Sequence, residues 1–220
     1  MEKLIWDAVG TRNYETGISN VALYVFDSKT EKYGAGVAWS GVTAITESPS
    51  GAEASPLYAD NIKYLNLYSA EDLGLTLEAY SSPVEFDECD GTATLATGVS
   101  IGQQERATFA LAYKTLLGND TNGTDRGYKL HIVYGCKASP SERAYSSVND
   151  SPEAMTLSWE LTTTPIPVEG FKATARVIID STTADEAKLK TLEDQLFGCD
   201  SSEATLLLPD EIKAHFGTEG

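Results

Sequence analysis

Residues Met155 to Asp180 read MTLSWELTTTPIPVEGFKATARVIID, and this stretch decides the fold class. Apolar and polar residues alternate along its two arms, which are 155–162 and 171–180. A period of two is what a strand with one buried and one solvated face requires. The segment between them, 164–170, contains two prolines and a glycine, which end strands and favour turns. The sequence therefore predicts an antiparallel hairpin.

One register of this hairpin places a large residue over a small one at each core position. It sets Trp159 opposite Ala175 and Leu161 opposite Ala173. A slip of one residue would turn every apolar side chain into water, so we expect this register to be strongly specified. Together with Trp39, Trp159 could form a platform for sugars, but its place on the apolar side of the strand predicts a core residue.

Further segments predict a mainly β fold with antiparallel pairing. Strands are expected at Val21–Phe26, Leu73–Tyr80 and Leu206–Leu208, and a long pair is expected from Arg106–Thr115 and Tyr128–Cys136. The side chains expected to meet across this pair are Phe109, Leu111 and Tyr113 with Leu130, Ile132 and Tyr134.

A helix is predicted late in the chain. The run Thr183-Ala184-Asp185-Glu186 matches a capping box with Thr183 as the cap. Leu189, Leu192 and Leu196 then recur at helical spacing, and Gly198 supplies the stop. One apolar stripe predicts one buried face, so the helix should flank the sheets. A last turn of helix is predicted from Pro209 to near Phe216.

Composition indicates one acidic domain over residues 1–220. The chain has 220 residues, 41% of them hydrophobic, and a net charge of −17. This charge argues against attraction to a nucleic-acid backbone, which depends on Lys and Arg displacing counterions. No run approaches the roughly 20 apolar residues of a membrane span, and no secretory signal is predicted at the start. Residues 46–61 are predicted to be an extended surface loop that serves assembly, and 199–220 a C-terminal extension.

No arrangement of residues predicts catalysis, a cofactor or a metal site. The acidic run at Glu85, Asp87, Glu88 and Asp90 lacks the ligand order of a calcium loop, and a glycosidase-like use of these acids is a rival interpretation. The segment Asp120–Asp125 resembles half of a calcium loop without its terminal Glu.

The histidines and cysteines also predict no site. His131 alternates with apolar neighbours and is interpreted as an ordinary strand residue, while His215 has no partner by spacing. Cys89, Cys136 and Cys199 are widely spaced and predict reduced thiols.

Several short motifs resemble one known family when they are taken in order. They are Gly36-Val37-Ala38-Trp39, GAEASPLYADN (51–61), Glu78-Ala79-Tyr80, Phe86 with Cys89-Asp90-Gly91, GYKLHIVYG (127–135), and Ser158-Trp159-Glu160 followed by Thr164-Pro165. In this order they resemble the major tail proteins, or tail tube proteins, of long-tailed siphophages that infect Gram-positive bacteria. The likeness runs from about Gly17 to Leu208.

This resemblance implies a structural virion protein made in the bacterial cytoplasm. The implied fold is an antiparallel β-sandwich or partial barrel of the tail tube type with one flanking C-terminal helix. Six copies would form a ring, and stacked rings would form a hollow tube that contacts passing DNA only weakly. A tape-measure protein and tail tip or terminator proteins are the implied partners, with no membrane. The alternative from another class is a monomeric β-sandwich that binds carbohydrate or protein at its loops.

Overall fold

The computed structural model describes residues 3–147 and 154–217. Its strands are β1 (Asn13–Asp27), β2 (Lys32–Tyr33), β3 (Val37–Ala38), β4 (Val42–Gly51), β5 (Ala54–Ala59), β6 (Ile62–Tyr68), β7 (Glu71–Ala79), β8 (Ala93–Ala96), β9 (Val99–Ile101), β10 (Phe109–Asn119), β11 (Gly123–Ala138), β12 (Leu157–Thr163) and β13 (Arg176–Asp180). Its helices are the 3₁₀ turn Val84–Phe86, α1 (Glu186–Leu196) and α2 (Pro209–Phe216). The predicted class, mainly antiparallel β with a C-terminal helix, is confirmed.

The molecule has two layers of strands and one layer of helices. The main sheet runs β2-β1-β10-β11-β12-β7-β4, with β13 paired to β11 and β3 to β1. The sheet turns back on itself without closing into a barrel, so that β7 and β12 pack over β1, β10 and β11. Helices α1 and α2 cover the other face of β1, β10 and β11. Both faces of the central strands are therefore buried.

Aromatic rings fill the space between the two strand layers. Trp39, Phe86 and Trp159 meet with centroids 4.5–5.6 Å apart, and Phe109 packs edge-on against Phe86 at 5.4 Å. The indole of Trp39 donates to the carbonyl of Ser81 at 2.7 Å, which satisfies its one polar atom. Trp159 is 1% exposed, so its predicted place in the core is confirmed and a sugar platform at this position is excluded.

The predicted hairpin between the arms of 155–180 is wrong. Strand β12 alternates as expected, but it pairs with β7, where Trp159 lies opposite Leu77. Strand β13 pairs with β11 instead, and Phe171 is exposed. An isolated bridge joins Ile166, in the connecting segment, to Thr174 in the second arm.

The two arms diverge because β11 changes neighbours along its length. Residues 129–133 of β11 pair with β13, whereas residues 136–138 pair with β12. Gly135 lies between these segments with φ of +61°, and a Cβ there would lie 2.3 Å from the Thr164 carbonyl oxygen. Only glycine fits this close approach, which lets one strand serve both layers.

The face predicted for β11 is also wrong. Strands β10 and β11 do pair, but the register sets Leu111 opposite Val133 and Ala112 opposite Ile132. The side chains of Leu130, Ile132 and Tyr134 therefore point to the helices, away from Phe109, Leu111 and Tyr113. A strand buried on both faces offers no alternation that could separate the two sides.

The helix layer docks through the predicted leucine stripe. Leu189, Leu192 and Leu196 are buried, which confirms the stripe, and Gly198 ends the helix with φ of +78°. The cap is Asp185 rather than Thr183, because the Asp185 carboxylate accepts from the Lys188 amide at 2.9 Å.

The C-terminal segment joins the helix layer to the sheet. The hydroxyl of Tyr134 donates to the Leu207 carbonyl at 2.8 Å. The strand predicted at Leu206–Leu208 is wrong, since these described residues form no ladder; the helix predicted from Pro209 is confirmed as α2.

Candidate assembly surface

The predicted loop at 46–61 is mostly strand, and with the residues after it builds a long hairpin arm. Strand β4 continues into β5 and β6 continues into β7, with β4 paired to β7 and β5 to β6. The tip is Asp60-Asn61, and both residues have positive φ, of +50° and +62°. Such residues form the two-residue turns that match strand twist. We call residues 51–71 the hairpin arm.

The hairpin arm is apolar and uncovered. Its large side chains are exposed: Leu57, Tyr58, Ile62, Tyr64, Leu65, Leu67 and Tyr68. The pairing sets Leu57 opposite Leu65 on one face, whereas Tyr58, the next residue on β5, and Tyr68, which pairs with Ala54, belong to the alternate face of the same ribbon. Apolar residues therefore occupy both faces. Tyr58 and Tyr64 are each 70% exposed.

Sequence analysis missed strand β6 and with it half of the hairpin arm. A signal was present, because Asp60-Asn61 separates PLYA from IKYLNLY, and paired Asx residues between apolar runs favour a hairpin. The Ser, Pro and Gly residues before Pro56 obscured it, because they are typical of loops.

A polar network lies where the hairpin arm leaves the sandwich. Glu47 on β4 pairs with Arg176 on β13 and accepts from the Tyr113 hydroxyl at 3.2 Å. The ring of Tyr113 stacks on His131, with centroids 4.7 Å apart and planes within 4°. The network ties β4, β10, β11 and β13 together at the root of the arm.

His131 occupies the inner end of this network. Its Nε2 lies 2.9 Å from the Thr115 hydroxyl and 3.4 Å from Glu15, which also pairs with Lys129 at 2.5 Å. Burial lowers the pKa of His131, against the opposing pull of the nearby carboxylates. Burial raises the pKa of Glu15, but hydrogen bonds from Lys129 and Thr115 outweigh it and hold that pKa below its ordinary value. His131 is thus a satisfied strand residue on its Nε2 side, as predicted.

One edge of the main sheet has no partner strand among the described residues. Strand β4 pairs only with β7, and its other edge is free. Pro49 has no N–H, so its position in the ladder faces the free edge, and the amides of Ile45 and Glu47 share that direction. A free edge of this length presents unpaired donors and acceptors to another chain.

A second apolar segment projects from the start of the described chain. Leu4, Ile5 and Trp6 are 72–80% exposed. The segment is held at Gly10, whose amide donates to the Asp120 carboxylate at 3.0 Å, in the turn between β10 and β11. Asp120 therefore anchors the chain start, and nothing brings the rest of Asp120–Asp125 together as metal ligands.

The acidic run lies on a turn that closes one end of the core. Phe86 and Cys89 point inward and are buried, while Asp90 pairs with Arg106 at 3.4 Å and with Arg143. The described residues contain no cluster of three or more His, Cys, Asp or Glu able to hold a metal ion. Glu85, Asp87 and Glu88 therefore belong to no such cluster within the described part of the chain.

The remaining candidates are dispersed. The Nε2 of His215 lies 2.7 Å from the Lys188 carbonyl, at the contact between the two helices. Cys89 and Cys136 are buried thiols, and hydrogen bonds from Ser201 and Ser202 lower the pKa of the exposed Cys199 to about 7. Within residues 3–147 and 154–217, no helix has the length and apolar character to cross a bilayer.

Comparison with known proteins gives distant structural likenesses only. No protein-family model and no curated protein matches the chain. A chain in the cryo-EM structure of the anti-feeding prophage (AFP) baseplate, 6-fold symmetrised, is similar with 12% identity and a TM-score of 0.35, over 80% of this chain and 97% of that one. A chain in an extracellular contractile injection system, the PVC sheath-tube complex in its extended state, is similar with 13% identity and a TM-score of 0.32, over 80% and 94%. Likenesses of this size carry no argument about the present chain.

Proposed function

We propose that this chain is a structural protein that self-assembles into the hollow tail tube of a long-tailed phage. Copies would form rings of six, and the rings would stack, as the sequence motifs of the siphophage major tail proteins imply. The observation that carries the proposal is the hairpin arm, which is built as ordered strands but left without cover in the single chain.

A lone two-stranded ribbon is marginally stable in water and needs a third strand or a packed face. The hairpin arm has apolar side chains on both faces, and the described residues of the body cover neither. Exposed apolar area on this scale marks an interaction site. Contact with other copies would bury both faces of the arm. This explains why an acidic chain keeps seven large apolar or aromatic side chains exposed on one arm.

The free edge of β4 supplies a second kind of contact. If a strand of a neighbouring copy pairs with this edge, the sheets of adjacent copies become continuous and the exposed edge disappears. The hairpin arm would then join rings, while β4 would join copies within a ring. This division gives the two directions of contact that a tube needs.

The charge of −17 suits a channel for DNA. An acidic lumen would repel the phosphate backbone, so that the genome slides through without being held. Mapping the acids onto an assembled tube tests this point, and a lumen lined mainly by Lys and Arg would contradict it. The protein would reside in the virion tail after synthesis in the host cytoplasm, beside tape-measure and tip or terminator proteins.

Assembly of the purified chain is the central test. We expect negative-stain microscopy and sedimentation to show rings or tubes above a threshold concentration. The variant Tyr58→Ser with Tyr64→Ser removes exposed aromatic area from the arm and should raise that threshold at least about tenfold. The matched control is Tyr145→Ser, which removes an equally exposed tyrosine outside the arm and should leave the threshold unchanged.

Hydrogen exchange tests the edge contact separately. The amides of Ile45 and Glu47 should exchange quickly in the dilute monomer, where water accepts from them, and slowly in assembled material, where a strand of a second chain would accept instead. Assembly without new protection at β4 would show that the edge is not the contact within the ring.

The alternative is a monomeric β-sandwich that binds carbohydrate through exposed aromatic rings. Tyr58, Tyr64 and Tyr68 on the arm are the residues that favour it. A chain that stays monomeric at every concentration, also with a tail-tip fraction added as nucleus, and that binds an oligosaccharide in a Tyr64-dependent way would replace the tube proposal with this one.

A further inference from the structure

An open apolar groove lies between α2 and the segment that leads into β13. It has a volume of about 680 Å³ and is lined by Val168, Phe171, Ala173, Val177, Pro209 and Ile212. Lys172 and Lys213 also line it. Two lysines at one groove are notable in a chain with 16 basic and 33 acidic residues, and they favour an occupant that pairs apolar side chains with a carboxylate.

The projecting segment at the start of the described chain has this composition. Leu4, Ile5 and Trp6 are consecutive and exposed, and Asp7 follows them. It is a single stretch without strand or helix, so it suits a groove better than the two-stranded hairpin arm does. We propose that Leu4, Ile5 and Trp6 of one copy occupy this groove on a second copy, with Asp7 beside the lysines.

The segment cannot reach the groove of its own chain. It is held at Gly10 against Asp120, in the turn that precedes β11. The groove begins at Val177, which pairs with Ile132, so at about 3.3 Å per residue it lies roughly 30 Å along β11 from that turn. From Gly10 to Leu4, the far end of the segment, the chain spans at most roughly 22 Å. Occupation of the groove therefore requires another copy.

The point where Asp120 holds Gly10 and the groove lie toward opposite ends of β11. The contact between two copies is therefore head to tail. A contact that joins two different surfaces repeats from copy to copy and produces either a closed ring or an extended filament. This inference rests on the proposed self-assembly and names the surfaces that meet in one of its contacts.

Peptide binding tests the groove without requiring assembly. The probe is a fluorescently labelled peptide of residues 3–12, KLIWDAVGTR, and the receptor is the full chain carrying Trp6→Ser so that its own segment does not compete. We expect saturable binding by fluorescence anisotropy and none for a peptide with Ser in place of Leu, Ile and Trp. In the receptor, Lys213→Glu should weaken binding several-fold. The control Lys190→Glu makes the same charge change on the other helix and should have no effect.

Cross-linking tests whether the contact joins two copies. In a Cys199→Ser background, chains carrying Leu4→Cys are mixed with chains carrying Ala173→Cys, and a short bismaleimide should link them only in the mixture. Absence of peptide binding, or linkage within one chain that carries both cysteines at low concentration, would overturn the inference.

The same samples keep this inference distinct from the proposed function. Rings or tubes that form while the peptide does not bind would leave the tube proposal standing and remove the groove contact. Peptide binding and cross-linking in a chain that forms neither rings nor tubes would do the reverse.

Discussion

The sandwich body and the hairpin arm use the same antiparallel pairing but differ in what covers it. In the body, strands β10 and β11 have Trp159 and its neighbours on one face and the leucines of α1 on the other. In the arm, β5 and β6 are paired along their length and have cover on neither face. Strand pairing alone therefore does not determine whether the faces of a sheet are covered. The central strands of the body are covered on both faces within one chain, whereas the side chains on both faces of the arm are exposed.

The largest effect that separates the two regions should come from removing a core ring. Trp159→Ala should lower the free energy of unfolding by about 3–5 kcal/mol, because it empties the centre of the aromatic cluster. The matched change on the arm, Tyr64→Ala, should alter it by less than about 0.5 kcal/mol. Denaturant titration of the dilute chain measures both. Equal losses would mean that the arm packs on its own body, which would end the comparison.

The next effect concerns the joint that lets β11 serve both strand layers. Gly135→Ala should cost at least about 2 kcal/mol, because it adds a Cβ in a left-handed conformation and against the Thr164 carbonyl. Gly98→Ala is the control. Gly98 has φ of +75° in a peripheral turn, and a Cβ added there would have no contacting atom within 4 Å. It should cost about 1 kcal/mol from backbone strain alone. Similar losses by thermal unfolding would show that the joint tolerates the added atom.

A smaller effect tests the cap at the start of α1 in the helix layer. Asp185→Ala removes the carboxylate that caps α1 and should cost about 1 kcal/mol. Thr183→Ala, at the cap that the sequence predicts, removes only a bond to the Asp180 carbonyl at 3.3 Å and should stay within about 0.5 kcal/mol. The reverse order in denaturant titrations would restore Thr183 as the cap.

Local patterns in the sequence predicted the elements well and their partners poorly. The alternation of β12 and the leucine stripe of α1 depend only on residues that are close together in the sequence, so the sequence predicts both. The pairing of Trp159 with Leu77 joins segments about eighty residues apart, and a period of two is satisfied by any neighbouring strand. The pattern therefore predicts pairing with the nearest alternating segment, and that prediction is wrong.

The candidate site was harder to predict than the body for a related reason. Sequence rules for strands depend on burial in the same chain, and the hairpin arm is not buried there. Its position was predicted as a surface element for assembly, and that role stays a prediction. Its strands were missed because the apolar residues from Leu57 to Tyr68 follow no one-sided pattern.

His131 lies where the body meets the arm, and acid should weaken this junction. The charged groups that act on it are Glu15 on β1, Glu47 on β4 and Lys129 on β11, and Arg176 on β13 pairs with Glu47. The two carboxylates would raise its pKa, while burial lowers it and prevails.

A lowered pKa in the folded state fixes the sign of the pH dependence. Near the ordinary value of 6.5, the unfolded chain binds more protons at His131 than the folded chain does. The contribution of His131 to stability is therefore fully present above pH 6.5 and is lost as the pH falls below that value. His131→Gln should remove this slope between about pH 5 and 6.5, below the range in which Cys199, with its pKa of about 7, titrates, when the free energy of unfolding is measured by denaturant titration at each pH. Glu15 does not confuse the window, because its pKa lies below 4.5. If the parent chain gains stability on acidification and the variant does not, the attraction of Glu15 and Glu47 outweighs burial, and the arm root is held by a charged histidine.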